Sequence, residues 1–244
     1  MTTLVIIPTY NERDNIAVLV ESILGQGAFE VLVVDDNSPD GTGAAADALA
    51  TGHPGRVHVL HRTGTRGFGR SYVEGFRWAL EKTRAEIICQ MDADLSHDPK
   101  YLPDLVAAAE AGADVVLGSR YLNGISVVNW PLRRLVLSTF ANWYVRTITG
   151  LAVRDCTGGY RCWKRATLEG LHPERIASDG YSFQVESLFK AARLGAVVRE
   201  VPIVFVERRQ GTSKMSKTIM FESMFMPWRL ILRHGGRAPH RTAS

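Results

Sequence analysis

The sequence predicts a single α/β domain in which helices flank a Rossmann-like, mostly parallel central sheet. Two observations support this class. Short apolar runs at residues 4–7 and 31–34 each end in a polar turn, and a segment with helical character follows each turn. Repetition of strand, turn and helix is typical of parallel α/β sheets. The chain has 244 residues, of which 45% are hydrophobic, and this is enough to bury the core of one large α/β domain.

Each further element follows from its local pattern. After the first run, apolar residues recur at the spacing of one helix face, namely Ile16, Leu19, Val20 and Ile23. An Ala-rich helix is predicted after the second run. Apolar runs bounded by turn residues predict strands over 57–60, 85–91, 114–118 and 159–164, and an extended segment over 197–206. Helices are predicted over 71–83, 101–110, 132–147 and 183–194.

Acidic residues collect where two of the predicted strands end. Asp35 and Asp36 follow the second strand, and the triplet Asp92-Ala93-Asp94 follows the strand at 85–91. Because open α/β sheets bind ligands at the carboxyl ends of their strands, we expect a site there. Residues i and i+2 of an extended segment point the same way, so Asp92 and Asp94 can converge on one Mg²⁺ or Mn²⁺ ion. The alternative is an Asp-rich loop that caps the next helix, since D-x-D alone is a weak motif.

Seven short motifs occur in order along the chain. They are IIPTYNE at 6–12, VVDDNSPDGT at 33–42, MDADLSH at 91–97, GSRY at 118–121, NWP at 129–131 with Arg134, DCTGGY at 155–160 and GTSK at 211–214. In this order and spacing, the chain resembles family 2 glycosyltransferases of the GT-A fold. Among these it is most similar to the polyprenol (dolichol) phosphate mannose synthases.

The resemblance implies a metal-dependent enzyme that transfers mannose from GDP-mannose to a polyprenyl monophosphate of the dolichyl type. Attack on the anomeric carbon would invert the α-linked donor to a β-linked product. The resemblance also implies that Pro8, Tyr10 and Glu12 line the guanosine pocket and that Asp36 contacts the nucleotide. The residues expected at the donor diphosphate and its metal are Asp92, Ala93, Asp94, Arg208 and Lys214.

Asp94, Arg120 and Arg134 are the residues expected to carry the chemistry. A metal held by Asp94, with Asp92, would neutralise the charge that develops on the leaving diphosphate. A monophosphate acceptor has a second pKa of about 6, so it arrives ionised and needs no strong base. It does need cations, and Arg120 and Arg134 supply planar guanidinium groups suited to phosphate. The alternative for each arginine is a surface ion pair.

Two departures from the family pattern affect these assignments. Some relatives use a Gln two positions after the second Asp as a metal ligand, whereas this chain has Ser96, a shorter and weaker ligand. The Ser96 hydroxyl remains a candidate ligand, with water as the alternative. In the loop at 210–214, Thr212 stands where relatives commonly carry a glutamate, which removes a charge near the acceptor entrance.

Three other functions share part of this pattern. A UDP-glucose-dependent polyprenyl-phosphate glycosyltransferase would show the same acidic motif, because spacing does not reveal the base. A non-catalytic nucleotide-binding subunit is disfavoured by the joint presence of Asp92, Asp94, Arg120, Arg134 and Lys214. A phosphorylated receiver module also has an acidic pair at a strand end, but it places that pair after the first strand and is about half this length.

The C-terminal part predicts attachment to a membrane surface. Residues 218–232 are apolar but shorter than the ~20 residues that span a bilayer, Pro227 should kink or divide them, and four arginines interrupt or follow them. We therefore divide the chain into a catalytic domain (1–217), an interfacial helix segment (218–234) and a basic tail (235–244). The polar loop at 207–217 is expected to close over the donor. Without a signal peptide, the protein is expected at the cytosolic face.

The expected partners are GDP-mannose, a polyprenyl monophosphate and the membrane surface, with no nucleic acid. The sequence leaves open whether a separate membrane-spanning partner is needed. The cysteines Cys89, Cys156 and Cys162 are odd in number and lack metal-ligand spacing, so structural thiols are favoured over disulfides. His97 lies next to the acidic triplet and is interpreted as a loop or cap residue.

Overall fold

A computed structural model describes residues 1–207 and 217–238 and confirms the predicted α/β class. Seven strands form the central sheet: β1 (Thr3–Thr9), β2 (Phe29–Asp35), β3 (Val57–His61), β4 (Ile87–Gln90), β5 (Val115–Ser119), β7 (Arg161–Lys164) and β8 (Val198–Pro202). Their order is β3-β2-β1-β4-β7-β5-β8. A second, two-stranded sheet pairs β6 (Val127–Val128) with β9 (Phe205–Val206).

The helices alternate with these strands as predicted. They are α1 (Arg13–Gly25), α2 (Thr42–Gly52), α3 (Phe68–Lys82), α4 (Leu102–Glu110), α5 (Leu132–Thr149), α6 (Arg165–Leu171), α7 (Gly180–Arg193) and α8 (Lys217–His234). A 3₁₀ turn at Pro99–Tyr101 precedes α4, and another at Pro173–Arg175 follows α6. The sequence patterns did not indicate α6, because a helix of two turns is too short to show a period.

The central strands are buried on both faces, as continuous apolar runs predict for a parallel sheet. Alternate residues of β1 and β2 pack on opposite faces. One face packs against α1, α2 and α4, and the other against α3 and α7. A Cβ built at Gly75 of α3 would lie 2.8 Å from Ile6 Cγ2, so α3 crosses β1 where a side chain does not fit.

The strand register brings the polar strand ends to one edge. β1 is parallel to β2, with Thr9 opposite Asp35, and parallel to β4, with Ile6 opposite Gln90. The residues that follow these three strands therefore emerge side by side. They include every described residue that the sequence predicted to bind the donor except Pro8, which lies within β1.

β7 is inserted antiparallel between β4 and β5, which the alternation of elements did not predict. Its register places Cys162 opposite Cys89, with a Cα–Cα distance of 4.1 Å, and the two form a disulfide. The expectation of structural thiols is therefore wrong for this pair. The residues are 73 positions apart, and only the sheet register makes them neighbours. Cys156 is a free and buried thiol.

α5 and α8 pack together and share an apolar outer surface. Tyr144 Oη of α5 donates to the Met224 carbonyl oxygen at 2.7 Å and accepts from Trp228 Nε1 at 3.0 Å. On the other side of α8, Met226 and Leu230 are buried in the core. Among the side chains that the structure describes on these two helices, the large apolar ones that are exposed are Leu132, Val136, Leu137, Phe140 and Trp143 on α5, and Met224, Phe225, Trp228 and Leu232 on α8. We call these nine residues the α5–α8 apolar surface.

The structure bears on two features of the C-terminal segment, namely its continuity at Pro227 and its length. α8 continues through Pro227 as one helix, so the segment is not divided into two. Across residues 1–207 and 217–238, no helix combines the length and the apolar character needed to cross a membrane.

Candidate active site

A cleft of about 1810 Å³ lies at the carboxyl edge of β1, β2 and β4. The predicted donor residues that line it are Pro8, Tyr10, Glu12, Asp36, Asp92, Ala93 and Asp94. Arg208 and Lys214, predicted to reach the donor diphosphate, lie outside the described residues, as does most of the predicted closing loop. The cleft extends to α7 and α8, where further lining residues are Lys190, Arg193, Arg229 and Arg233.

The loop that carries the acidic triplet is held by its own side chains. Ser96 donates to Asp94 Oδ1 twice, from its backbone N at 3.1 Å and its hydroxyl at 2.5 Å. The Asp92 backbone N–H donates to His97 Nδ1 at 3.2 Å. Leu95, between them, has a left-handed backbone with φ of 61°, which costs a non-glycine residue roughly 1–2 kcal/mol. The Ser96 contacts orient the Asp94 carboxylate, and the His97 contact holds the Asp92 backbone, so the turn stays in place.

The Ser96 hydroxyl, a candidate metal ligand from the sequence, is thus buried against Asp94. This contact orients one oxygen of the Asp94 carboxylate. Ser96 therefore shapes the acidic pair through Asp94.

The oxygen atoms of Asp92 and Asp94 fit a hard divalent cation. A Cβ at Gly159 would lie 3.4 Å from Asp92 Oδ1, so glycine keeps the space beside this carboxylate open. Among residues 1–207 and 217–238, no group of three or more His, Cys, Asp or Glu side chains could hold a metal ion. Two carboxylates without a protein cage suit Mg²⁺ or Mn²⁺, which complete their shells with phosphate oxygens and water.

Tyr72 lies behind Asp92, with Oη 3.5 Å from Asp92 Oδ1. Burial, together with the charge of Asp92, raises the pKa of Tyr72. The Tyr72 hydroxyl therefore stays protonated and donates toward the Asp92 carboxylate.

The doubled acid Asp35-Asp36 has partners inside the protein. Asp35 accepts from Ser38 through the hydroxyl at 2.6 Å and the backbone N at 3.1 Å. Asp36 forms a buried ion pair with Arg62 and accepts from the Gly67 backbone N at 2.9 Å. This edge of the sheet therefore does not need a bound cation to stabilise the Asp35 and Asp36 carboxylates. The sequence interpretation missed Arg62, since only the turn after β3 brings it to Asp36.

Arg66 is a further residue of the cleft that the sequence interpretation missed. Its guanidinium carbon lies 4.2 Å from the ring centroid of Tyr10, and both residues line the cleft. A cation stacked on an aromatic ring at the cleft wall can face an anionic ligand.

Arg120 is buried and its guanidinium is held by Asp155. Arg120 Nε and Nη2 donate to the two carboxylate oxygens at 2.7 Å each, and Nη2 also donates to Thr157 Oγ1 at 2.9 Å. Burial alone would raise the pKa of Asp155, but the charge and hydrogen bonds of Arg120 hold it below its usual value. The ion pair predicted as the alternative for Arg120 is present, although it is buried rather than at the surface.

Arg161 supports the same loop from the core. It donates to the backbone oxygens of Cys156, Gly158 and Gln184 at 2.7–2.9 Å. Complete burial lowers the pKa of Arg161 to about 10, so it stays charged at neutral pH. The motif at 155–160 is therefore fixed by two buried arginines, of which the sequence interpretation identified one.

Arg134 and Arg120 meet at the Trp130 indole. Their guanidinium carbons lie 4.2 and 5.6 Å from its ring centroid, respectively. Arg134 also forms an ion pair with Glu207, and both side chains are partly exposed. The structure therefore brings the two predicted acceptor arginines together. Neither of them lines the cleft described above.

Comparisons with known proteins agree with this arrangement. Residues 4–169 match the family model "Glycosyl transferase family 2". The chain is 49% identical to polyprenol monophosphomannose synthase of Mycolicibacterium smegmatis, over 91% of this chain and 84% of that protein. It is 46% identical to undecaprenyl-phosphate mannosyltransferase of Micrococcus luteus, over 92% of this chain and 91% of that protein.

The fold also matches solved structures. Glucosyl-3-phosphoglycerate synthase from Mycobacterium tuberculosis, solved with Mn²⁺, UDP-glucose and phosphoglyceric acid, has a TM-score of 0.68 at 19% identity. The match covers 98% of this chain and 81% of that one. The predicted GT-A architecture is thereby confirmed. With the family match over more than half its length and relatives near half identity, the chain belongs to glycosyl transferase family 2.

Proposed function

We propose that this protein transfers mannose from GDP-mannose to a polyprenyl monophosphate, with inversion at the anomeric carbon. The observation that carries the proposal is the cleft at the carboxyl edge of the sheet, where Pro8, Tyr10 and Asp36 meet Asp92 and Asp94. Two relatives that share nearly half of the sequence are named for mannose transfer or synthesis on a polyprenyl phosphate. This makes mannose the favoured sugar.

For the donor, we assign the nucleoside to the β1 and β2 end of the cleft and the diphosphate to the Asp92–Asp94 end. A bound Mg²⁺ or Mn²⁺ would act there as a Lewis acid on the leaving diphosphate. Asp92 and Asp94 would hold it, since Ser96 orients the Asp94 carboxylate and His97 holds the Asp92 backbone. Arg66, stacked on Tyr10, adds positive charge to the cleft wall. Arg208 and Lys214 retain their predicted role at the diphosphate.

For the acceptor, Arg120 and Arg134 are assigned to the lipid phosphate. Asp155 neutralises Arg120 and fixes the plane of its guanidinium, so Arg120 contributes mainly geometry. Arg134 is paired with the partly exposed Glu207, a contact that a phosphate can replace at small cost. Arg134 therefore supplies the larger share of acceptor affinity. The doubly ionised phosphate then attacks without a general base.

For the location, we propose peripheral attachment at the cytosolic face through the α5–α8 apolar surface. The sequence predicted this role for residues 218–234 alone, with residues 1–217 as the catalytic domain and 235–244 as a basic tail. The packing of α8 on α5 supports a larger surface, because Phe140 and Trp143 lie on the same exposed side as Leu132 and Val136. Arg229 and Arg233, which directly follow Trp228 and Leu232 in α8 and also line the cleft, suit anionic headgroups.

A second donor is favoured by one observation. The structural neighbour from Mycobacterium tuberculosis was solved with UDP-glucose and Mn²⁺ on the same fold. Because that neighbour is only 19% identical, its donor is the alternative here.

The test is a transfer assay with radiolabelled GDP-mannose or UDP-glucose, with and without polyprenyl phosphate. Label moving from GDP-mannose to the lipid, only when acceptor and Mg²⁺ or Mn²⁺ are present, is the expected result. Transfer from UDP-glucose alone would reassign the donor. Hydrolysis without lipid product would contradict the proposed acceptor.

A further inference from the structure

His97 is placed between the two halves of the proposed site. Its ring is buried, with 3% of its surface exposed. Its Nδ1 accepts from the Asp92 backbone N at 3.2 Å. The ring stacks on Tyr160 with a centroid distance of 4.9 Å and meets Phe205 edge-on at 5.5 Å. A residue that merely capped a helix would not need this aromatic enclosure.

Phe205 continues the contact toward the arginines. It begins β9, and its ring lies 5.5 Å from the Trp130 centroid and 5.7 Å from the guanidinium carbon of Arg120. The neighbouring Val206 donates its backbone N–H to the Ser96 carbonyl oxygen at 3.4 Å, so β9 is tied to the acidic loop by backbone as well. Trp130, in turn, lies under Arg134.

We infer that His97 is a positioning residue that couples the Asp92–Asp94 loop to the acceptor arginines through Phe205 and Trp130. This inference rests on the proposed function. The rings of His97, Phe205 and Trp130 contact one another in sequence, with centroid distances of 5.5 Å at both steps, so a displacement at one end is passed to the next ring. A misplacement of about 1 Å can cost a reaction roughly a hundredfold. Coupling between two binding sites is reciprocal. The bound donor and metal must therefore raise the affinity for the acceptor by the same factor as the bound acceptor raises the affinity for the donor.

Two substitutions separate the two functions of His97. His97→Phe keeps an aromatic ring against Tyr160 and Phe205 but removes the acceptor for the Asp92 N–H. His97→Asn keeps an acceptor oxygen near the position of Nδ1 but removes the ring. Phe205→Leu removes the same ring contact from the other side and leaves the Asp92 to His97 hydrogen bond in place. His53→Asn, at a partly exposed histidine paired with Glu21, is the matched control.

Calorimetry of GDP with Mn²⁺ and steady-state kinetics with polyprenyl phosphate are measured on variants first shown by thermal unfolding to be folded. His97→Phe is expected to weaken GDP binding about tenfold, because the Asp92 N–H loses its partner. His97→Asn and Phe205→Leu are expected to keep GDP affinity and to raise the KM for polyprenyl phosphate about three- to thirtyfold. The double variant with His97→Asn and Phe205→Leu should raise this KM no further than the more strongly affected single variant, since both substitutions interrupt the same contact.

The results that overturn the inference are specific. If His97→Asn and Phe205→Leu leave the acceptor KM at the level of His53→Asn, or if their effects add, His97 does not couple the two halves. If His97→Phe binds GDP as tightly as the unmodified protein, it does not position Asp92. If the unmodified protein itself binds GDP without transferring mannose, the proposed function fails, and the inference fails with it.

Discussion

At the scale of single residues, the side chains of the site form two groups. The first group faces the ligand, and the second holds the side chains of the first group in position. We expect Asp94 and Arg134 to meet substrates, whereas Ser96 orients Asp94, His97 holds the Asp92 backbone and Asp155 holds Arg120 through hydrogen bonds. Substitutions in the two groups should differ in the property that they change. The first group should change activity, and the second should change stability or geometry as well.

Asp94→Asn tests the acidic pair. The amide keeps the shape of the carboxylate but removes one of two anionic oxygen donors, so transfer should fall by at least about a hundredfold. Its free energy of unfolding should change little, since the asparagine amide oxygen can still accept from the Ser96 hydroxyl and backbone N. Rates with saturating metal, together with urea unfolding, measure both. Turnover near that of the unmodified protein would remove Asp94 from the metal site.

Arg120→Ala and Arg134→Ala should separate stability from acceptor binding. The first leaves the fully buried Asp155 without its partner and should lower the free energy of unfolding by about 3–5 kcal/mol. The second breaks a partly exposed pair, worth about 0–1 kcal/mol, while impairing transfer. Urea unfolding and calorimetric GDP affinity are the measurements. Loss of GDP binding in Arg134→Ala equal to its loss of activity would assign Arg134 to the donor.

The Arg120–Asp155 pair should also make stability depend on pH. Asp155 has a folded-state pKa below its value in the unfolded chain, which is about 3.9. Its contribution is therefore complete above that value and is lost as the pH falls toward the folded pKa. Unfolding free energies measured between pH 7 and pH 3 should fall more steeply for the unmodified protein than for Asp155→Asn. Parallel curves would contradict this.

At the scale of elements, β7 and the α5–α8 pair show what strand and helix contacts add. The antiparallel β7 brings Cys162 to Cys89, and α8 completes the core with Met226 and Leu230. A truncation after Lys217 would therefore expose core residues. Point substitutions on the outer surface test membrane attachment more cleanly.

Thiol labelling tests the β4–β7 register. Cys156 is buried, and burial raises its pKa, so the native protein should react with none of its thiols. Denaturation without reductant should expose one thiol, and denaturation with reductant all three cysteines. Mass spectrometry of alkylated protein counts them. Three labels without reductant would show that Cys89 and Cys162 are thiols.

Phe140→Glu tests the α5–α8 apolar surface. Full burial of such a side chain is worth about 1.5–3 kcal/mol, so its loss should reduce partitioning to anionic vesicles at least about tenfold. Val18→Glu is the matched control, because Val18 is 61% exposed on α1 and Phe140 is 55% exposed on α5. Co-sedimentation with vesicles measures both. Equal sedimentation of the two variants would remove α5 from the membrane surface.

At the scale of the whole molecule, the cleft joins loops from β1, β2 and β4, so a ligand there ties together distant parts of the chain. Binding to the folded state alone then stabilises the entire domain. The identity of the base can be tested at this level.

GDP with Mn²⁺ at a hundredfold its Kd should stabilise the protein by about 2.7 kcal/mol. For a domain of this size, that corresponds to a rise in Tm of about 5–11 °C. UDP at the same concentration should produce a smaller rise, and GDP with chelator a smaller one still. Thermal unfolding measures all three. A larger shift with UDP would favour the alternative donor.

Local patterns in the sequence were sufficient to predict the fold class, most elements and the edge of the sheet at which the cleft lies. Apolar runs such as residues 31–34 are local signals for strands. Because parallel strands connected through helices all point the same way, their carboxyl ends must lie at one edge of the sheet. Tertiary structure decided the rest, because it depends on register and packing between distant residues. Only β7 pairs Cys162 with Cys89, only the turn after β3 brings Arg62 to Asp36, and only the packing of β9 places Phe205 between His97 and Trp130. No local pattern encodes such contacts, since each joins side chains from different elements.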